Sequence, residues 1–173
     1  MKSETIATIE VLKTCCGDLP TSEFRGDTRV VVGKDKLLEA MRLLKDSRGF
    51  DLLVDVTCVD YLSYRFDEDK RDANHRFGLV YLLANTATNE RLIVRVYLDE
   101  PNLTVPSMYP LWAGADWLER EVYDMFGIDF AGHPDLRRIL MPDEFTAYPL
   151  RKDYPLQGRG ERHNFQRIAR TEA

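Results

Sequence analysis

Phe77-Gly78-Leu79-Val80-Tyr81-Leu82-Leu83-Ala84-Asn85 and, across a polar turn, Arg91-Leu92-Ile93-Val94-Arg95-Val96-Tyr97-Leu98-Asp99 are the two runs that decide the fold. In the second, Arg91, Ile93, Arg95 and Tyr97 alternate with Leu92, Val94, Val96 and Leu98. Successive strand side chains point to opposite faces, so one face of this strand is apolar and covered. The first run is apolar through Leu79 to Ala84 and too short for an amphipathic helix, which marks a second strand. A third strand-like run, Asp51 to Tyr64, precedes them across a polar loop at 65–76. Short connections favour antiparallel neighbours among the three.

Upstream, residues 4–15 space Ile6, Ile9 and Leu12 three apart beside Val11, a short amphipathic helix stopped by Gly17 and Pro20. Phe24 to Gly33 sets a Gly26-Asp27 turn before a β-branched run and reads as a hairpin. Lys34 to Lys45 carries Leu37, Leu38, Met41 and Leu44 on one face of a second helix that ends near Gly49. The order αββαβββ predicts an α+β two-layer domain, a mixed, mostly antiparallel five-stranded sheet with helices on one face.

Beyond the last strand, Pro101, Pro106 and Pro110 break up a linker. Asp116 is positioned to cap a short helix over Trp117 to Phe126, with Glu119 at the capping-box position and Gly127 as the stop. Leu118, Val122, Met125 and Phe126 share one side of that helix; Arg120, Glu121 and Asp124 share another. From His133 onward Pro134, Pro142, Pro149 and Pro155 forbid any long helix, and Phe145, Tyr148 and Tyr154 lie among them. The division predicted is an α+β domain over 1–126, including the short helix, and an extended docking arm over 127–173. Such an arm lacks a continuous apolar face, so it is expected to order fully only on a partner.

The chain's 173 residues, 44% apolar and 31% charged, suit one soluble globular unit. No apolar stretch approaches the roughly 20 residues of a membrane span. The start, Met1-Lys2-Ser3-Glu4-Thr5, lacks the pattern of a secretory signal, so the chain is expected to stay in the cytoplasm. The net charge of −5 divides into +3 from Arg137 to the end and −8 before it, a basic tail on an acidic body. Cys15, Cys16 and Cys58 have neither disulfide nor cluster spacing, and Cys58 reads as a small core residue.

The run Glu119-Arg120-Glu121-Val122-Tyr123-Asp124-Met125-Phe126-Gly127-Ile128-Asp129-Phe130-Ala131-Gly132-His133-Pro134-Asp135-Leu136-Arg137-Arg138-Ile139-Leu140 closely resembles the hallmark of the 30 kDa-type subunit of respiratory complex I, as does Tyr148-Pro149-Leu150-Arg151-Lys152-Asp153-Tyr154-Pro155-Leu156. The upstream element order fits the same family. The resemblance implies a non-redox scaffold in the peripheral arm of a proton-translocating NADH:quinone oxidoreductase, on the cytoplasmic side of the cell inner membrane. It would pack on the quinone-site subunit and on neighbouring cluster-bearing subunits. FMN, iron–sulfur clusters and quinone would be held by other subunits, and none by this chain. The equivalent subunit of a related membrane-bound hydrogenase or ferredoxin:plastoquinone-type complex remains an alternative, and a free-standing acid/base hydrolase a distant one.

The residues support the scaffold side of that choice. Glu119, Glu121 and Asp124 resemble a carboxylate set, but Arg120 lies in the same arc and favours pairing over general acid/base work. His133 has only His75 and His163 for company, neither at ligand spacing, so it is expected to fix the turn into the arm. Arg137, Arg138, Arg151 and Lys152, with Asp153 beside them, are the candidates for contacts with acidic groups on a partner. Interleaved Asp143, Glu144 and Asp153 and the acidic balance argue against nucleic acid. No glycine-rich phosphate loop or nicotinamide fingerprint is present.

Overall fold

The computed structural model describes residues 3–62 and 75–160. Helix α1 (Ser3–Cys16) leads into the hairpin β1 (Thr21–Phe24) and β2 (Asp27–Val31), then a 3-10 turn at Lys34–Lys36 and helix α2 (Leu37–Arg48). Strands β3 (Leu52–Asp60), β4 (Phe77–Asn85) and β5 (Glu90–Leu98) follow, then β6 (Thr104–Pro106), α3 (Ala115–Phe126) and β7 (Asp129–Ala131). The main sheet runs β1-β2-β5-β4-β3; only the β2–β5 pairing is parallel. The predicted α+β class with a mixed five-stranded sheet is what forms.

Alternation places the core. Leu92, Val94, Val96 and Leu98 of β5 are buried, as are Leu79, Tyr81 and Leu83 of β4 and Val30 of β2. Leu37, Ala40, Met41 and Leu44 of α2 cover this face. α1 turns a slightly different side inward than its apolar spacing suggests: Thr5, Thr8, Ile9 and Leu12 are buried and Ile6 is 40% exposed. The threonines reach polar partners there; Thr5 donates to Glu90 and Arg48 donates to Thr8. Cys58 is buried in the core.

The linker and arm are more regular than the prolines suggest. Thr104–Pro106 and Asp129–Ala131 form a second, two-stranded parallel sheet. This is possible because Pro106 ends its strand, where a missing backbone donor costs no ladder bond. That small sheet draws the chain after α3 back to the segment before it. The 65–76 loop falls mostly outside the described residues, as does His163.

Candidate functional site

α3 is the frame of the site, and its buried stripe is Ala115, Glu119, Val122 and Phe126, spaced four, three and four apart. A carboxylate therefore sits on the apolar side. The capping assignment of Asp116 and Glu119 is corrected here: α3 starts at Ala115 after Gly114, with no side-chain cap. Glu119 is fully buried and accepts from Ser107 Oγ at 2.6 Å and the Met108 backbone N–H at 2.6 Å. Burial, aided by the nearby Asp116 carboxylate, pushes its carboxyl up to about 7 against the pull of those two bonds. It bolts the turn after β6 to α3.

Asp124 leaves the solvent arc in which its spacing placed it. Its side chain is fully covered, and Oδ2 accepts the consecutive backbone N–H groups of Ile139, Leu140 and Met141 at 3.0, 2.7 and 2.8 Å. Such a run of N–H groups forms an anion nest. Oδ1 takes the Arg138 guanidinium at 2.6 Å. Burial opposes the charge, but the three N–H groups and Arg138 outweigh it and hold the carboxyl below its ordinary range. Arg138 goes on to the Asp124 and Ala147 carbonyls and lies over the Phe145 and Tyr148 rings.

A second fastening lies at the end of β3. Asp60 accepts the Lys152 and Leu62 backbone N–H groups, both at 2.9 Å, and pairs with Arg76 at 3.3 Å. Arg76 also pairs with Glu100 and Asp153. Arg151 donates to the Phe126 carbonyl at 2.6 Å, pairs with Glu100 at 2.9 Å, and lies between the Phe77 and Tyr148 rings. Gly127, at φ +74, ends α3 where an added Cβ would stand 2.5 Å from the Tyr148 ring. Only glycine combines that backbone with that approach.

Arg138 and Arg151 are thus engaged inside the chain. Both were expected to meet a partner's carboxylates; within the chain Arg138 pairs with the buried Asp124 and Arg151 with the half-exposed Glu100. His133 does fix a turn: the Asp135 N–H donates to Nδ1 and Nε2 donates to the Asp116 carbonyl, both at 3.1 Å. Arg120 donates to the Arg137 and Arg138 carbonyls and lies over Trp117. Glu121, Arg137, Lys152 and Asp153 remain exposed, Arg137 beside Asp135 and Asp153 against Arg76. Sequence reasoning missed Asp60, Arg76, Glu100 and Ser107, and it set Glu119 at a cap rather than on the helix's buried stripe, although its spacing from Val122 and Phe126 carried that signal. Among the described residues no group of three or more His, Cys, Asp or Glu side chains could hold a metal ion, and no helix is long and apolar enough to cross a membrane.

This strap-and-frame geometry falls inside a match over residues 30–160 to the family model described as respiratory-chain NADH dehydrogenase, 30 kDa subunit. The chain belongs to that family. Among its curated relatives, the NADH-quinone oxidoreductase C subunit of Citrifermentans bemidjiense is 45% identical over 81% of this chain and 81% of its own length. The same-named protein of Moorella thermoacetica is 41% identical over 88% of this chain and 96% of its own. The solved structure of Nqo5, a trypsin-resistant fragment (1-134), superposes with a TM-score of 0.68 at 34% identity, covering 77% of this chain and 99% of that one. A chain of the membrane-bound sulfane sulfur reductase, an archaeal respiratory membrane complex, shares the fold at a TM-score of 0.72 and 21% identity, covering 99% and 96%.

Proposed function

We propose that this 30 kDa-family chain is the non-redox scaffold subunit of a proton-translocating NADH:quinone oxidoreductase, held at the cytoplasmic side of the inner membrane through the complex. It binds no flavin, cluster or quinone itself, and it packs on the quinone-site subunit and on neighbouring cluster-bearing subunits. Residues 127–173 are the docking arm.

One observation carries the reading. The arm's guanidinium and backbone N–H groups turn inward onto Asp124, Asp60 and Glu100, and Phe130 and Phe145 pack inward with them, but Leu140 is 62% exposed, Leu150 53%, and Trp117 on the adjoining helix 66%. A strap that holds Arg138 and Arg151 against its own body and shows leucines and a tryptophan to solvent is arranged for burial by something else. Arg137 and Lys152, exposed at the strap's surface, are the cations proposed to meet partner carboxylates.

The test is recovery of proteins that accompany an affinity-tagged chain expressed from its own locus. The quinone-site subunit and cluster-bearing partners are expected, in a complex that reduces quinone with NADH. A complex that takes electrons only from ferredoxin or hydrogen would move the chain to a related machine. A tagged chain recovered alone, as a monomer, would end the scaffold reading.

A further inference from the structure

All the helices lie toward one face of the sheet, and the other face is open around Leu52, Val54 and Leu82 among the described residues. An antiparallel sheet covered on one side ordinarily presents polar groups on the other. This one does not. Strand alternation puts Leu52 and Val54 of edge strand β3 on this open face, next to a bulge where the register shifts between Leu53 and Asp55. Leu52 is 46% exposed and Val54 49%. Together with Leu82 of β4 and Ile93 of β5 they line an apolar groove of about 500 Å³.

One rim of the groove is basic. Arg29 pairs in register with Ile93 across the β2–β5 ladder, Arg91 lines the groove, and Arg25 follows in the β1–β2 turn. Arg25 and Arg29 both lie over the ring of Phe24, itself 52% exposed, so the rim joins cationic to apolar surface. This concentration of positive charge stands on a chain that is acidic as a whole, at −5. Acidic groups also border the face: Asp27 lines the groove, Asp55 stands opposite Leu82, and Asp51 accepts from the groove residue Thr86.

We infer that this open face is a second docking surface, separate from the strap, for a polypeptide segment of a neighbouring subunit that inserts an apolar side chain into the groove and sets carboxylates against Arg29 and Arg91. The inference rests on the reading of the chain as a subunit of a larger complex. Charge selects the occupant. A second copy meeting this face across a two-fold axis would bring the same arginine row against itself, which disfavours a homodimer. A partner segment with acids beside an apolar tip satisfies both halves of the surface.

Hydroxyl-radical footprinting of the intact complex and of the free full-length chain tests it without any substitution. Leu52, Val54 and Ile93 are expected to label several-fold more slowly in the complex than in the free monomer. Equal labelling in a complex that contains the chain overturns the inference and leaves the proposed function standing; a chain that enters no complex overturns both. Protection already present in the free monomer assigns the face to the chain's own residues, and protection tracking dimer formation assigns it to a second copy; either result overturns it. As the second arm, Arg29→Glu with Arg91→Glu is expected to lower incorporation roughly tenfold or more, as loss of a desolvated charge pair does. An Arg29→Lys, Arg91→Lys chain should retain most of it. Full incorporation of the glutamate variant, with thermal unfolding unchanged, would remove the charge half of the proposal.

Discussion

The sheet and the strap close the same body by opposite means. Across β4 and β5, Leu79, Tyr81 and Leu83 stand beside Val96, Val94 and Leu92 on the covered face of the sheet, and burial of apolar surface does the holding. Across residues 132–153 few side chains are buried apart from Phe145, and the holding is done by Asp124, Asp60 and Glu100 with their guanidinium and backbone N–H partners. Apolar burial is non-directional and tolerates a change of neighbour. A carboxylate in a nest does not, because removing it leaves every donor unpaired at once. The strap should therefore come off as a unit when one anchor is lost, whereas the sheet should yield gradually to substitution.

The largest effect is expected at Asp124. Replacing it with alanine strands the Arg138 guanidinium and three backbone N–H groups, at a cost of about 3–5 kcal/mol for a broken buried pair. Denaturant unfolding would measure the loss, and trypsin should then cut between residues 132 and 153 while the sheet stays protected. Arg138→Glu should act alike in the isolated subunit by facing Asp124 with a like charge. Folding lowers the pKa of both Asp124 and Asp60 below the ordinary 3.8. Their contribution is thus complete above that value and disappears as pH falls below it. An Asp124→Ala strap as protected as the wild-type one would break the contrast drawn above.

Glu119 should show the reverse pH dependence. Folding raises its pKa from 4.5 to about 7, so the stabilisation is complete below 4.5 and fades as pH climbs through about 7. Glu119→Gln keeps an acceptor for the Met108 N–H and a partner for Ser107 without the buried charge. It should unfold like the wild type near pH 4 and be more stable at pH 8, by up to about 3 kcal/mol at 1.36 kcal/mol per pKa unit. Parallel stability curves across that range would show that Glu119 does not titrate in the fold.

Gly127→Ala tests the seam between frame and strap. Its left-handed backbone and the Tyr148 ring 2.5 Å from the added Cβ should together cost about 2 kcal/mol. The loss should appear as faster exchange of the Leu150 and Arg151 amides, which bond back to Met125 and Tyr148. Unchanged protection of those amides would mean that the strap shifts aside without detaching.

The two regions also differ in how much of them could be read beforehand. The β5 alternation from Leu92 to Leu98 is a period-2 signal complete within one strand, and it placed the core, the sheet and its open face. The strap's contacts join residues far apart in the chain: Lys152 to Asp60, Arg76 to Asp153, Arg151 to Glu100. No local spacing encodes such pairs. Spacing on α3 even misled, since the helical geometry that groups Asp124 with Arg120 and Glu121 says nothing of a strap returning to cover Asp124. Resemblance found the marker residues, and only the structure shows that many of them face inward.

The smallest stability effect belongs to the residues left outside. Arg137 is 68% exposed beside Asp135, and the Lys152 side chain is exposed while its backbone alone serves Asp60. An exposed pair contributes little to folding, so Arg137→Ala with Lys152→Ala should change the unfolding free energy by less than about 1 kcal/mol. If these cations meet partner carboxylates, the same variant should enter the complex poorly, and NADH:quinone turnover should fall only in proportion to the complex lost. Turnover per assembled complex would stay near the wild-type value, because neither residue is proposed to move an electron or a proton. A well-folded variant that assembles fully would restrict the strap's role to its apolar side chains, Leu140 and Leu150. Full assembly with reduced turnover would instead place Arg137 or Lys152 in the chemistry of the complex and end the scaffold account of the strap.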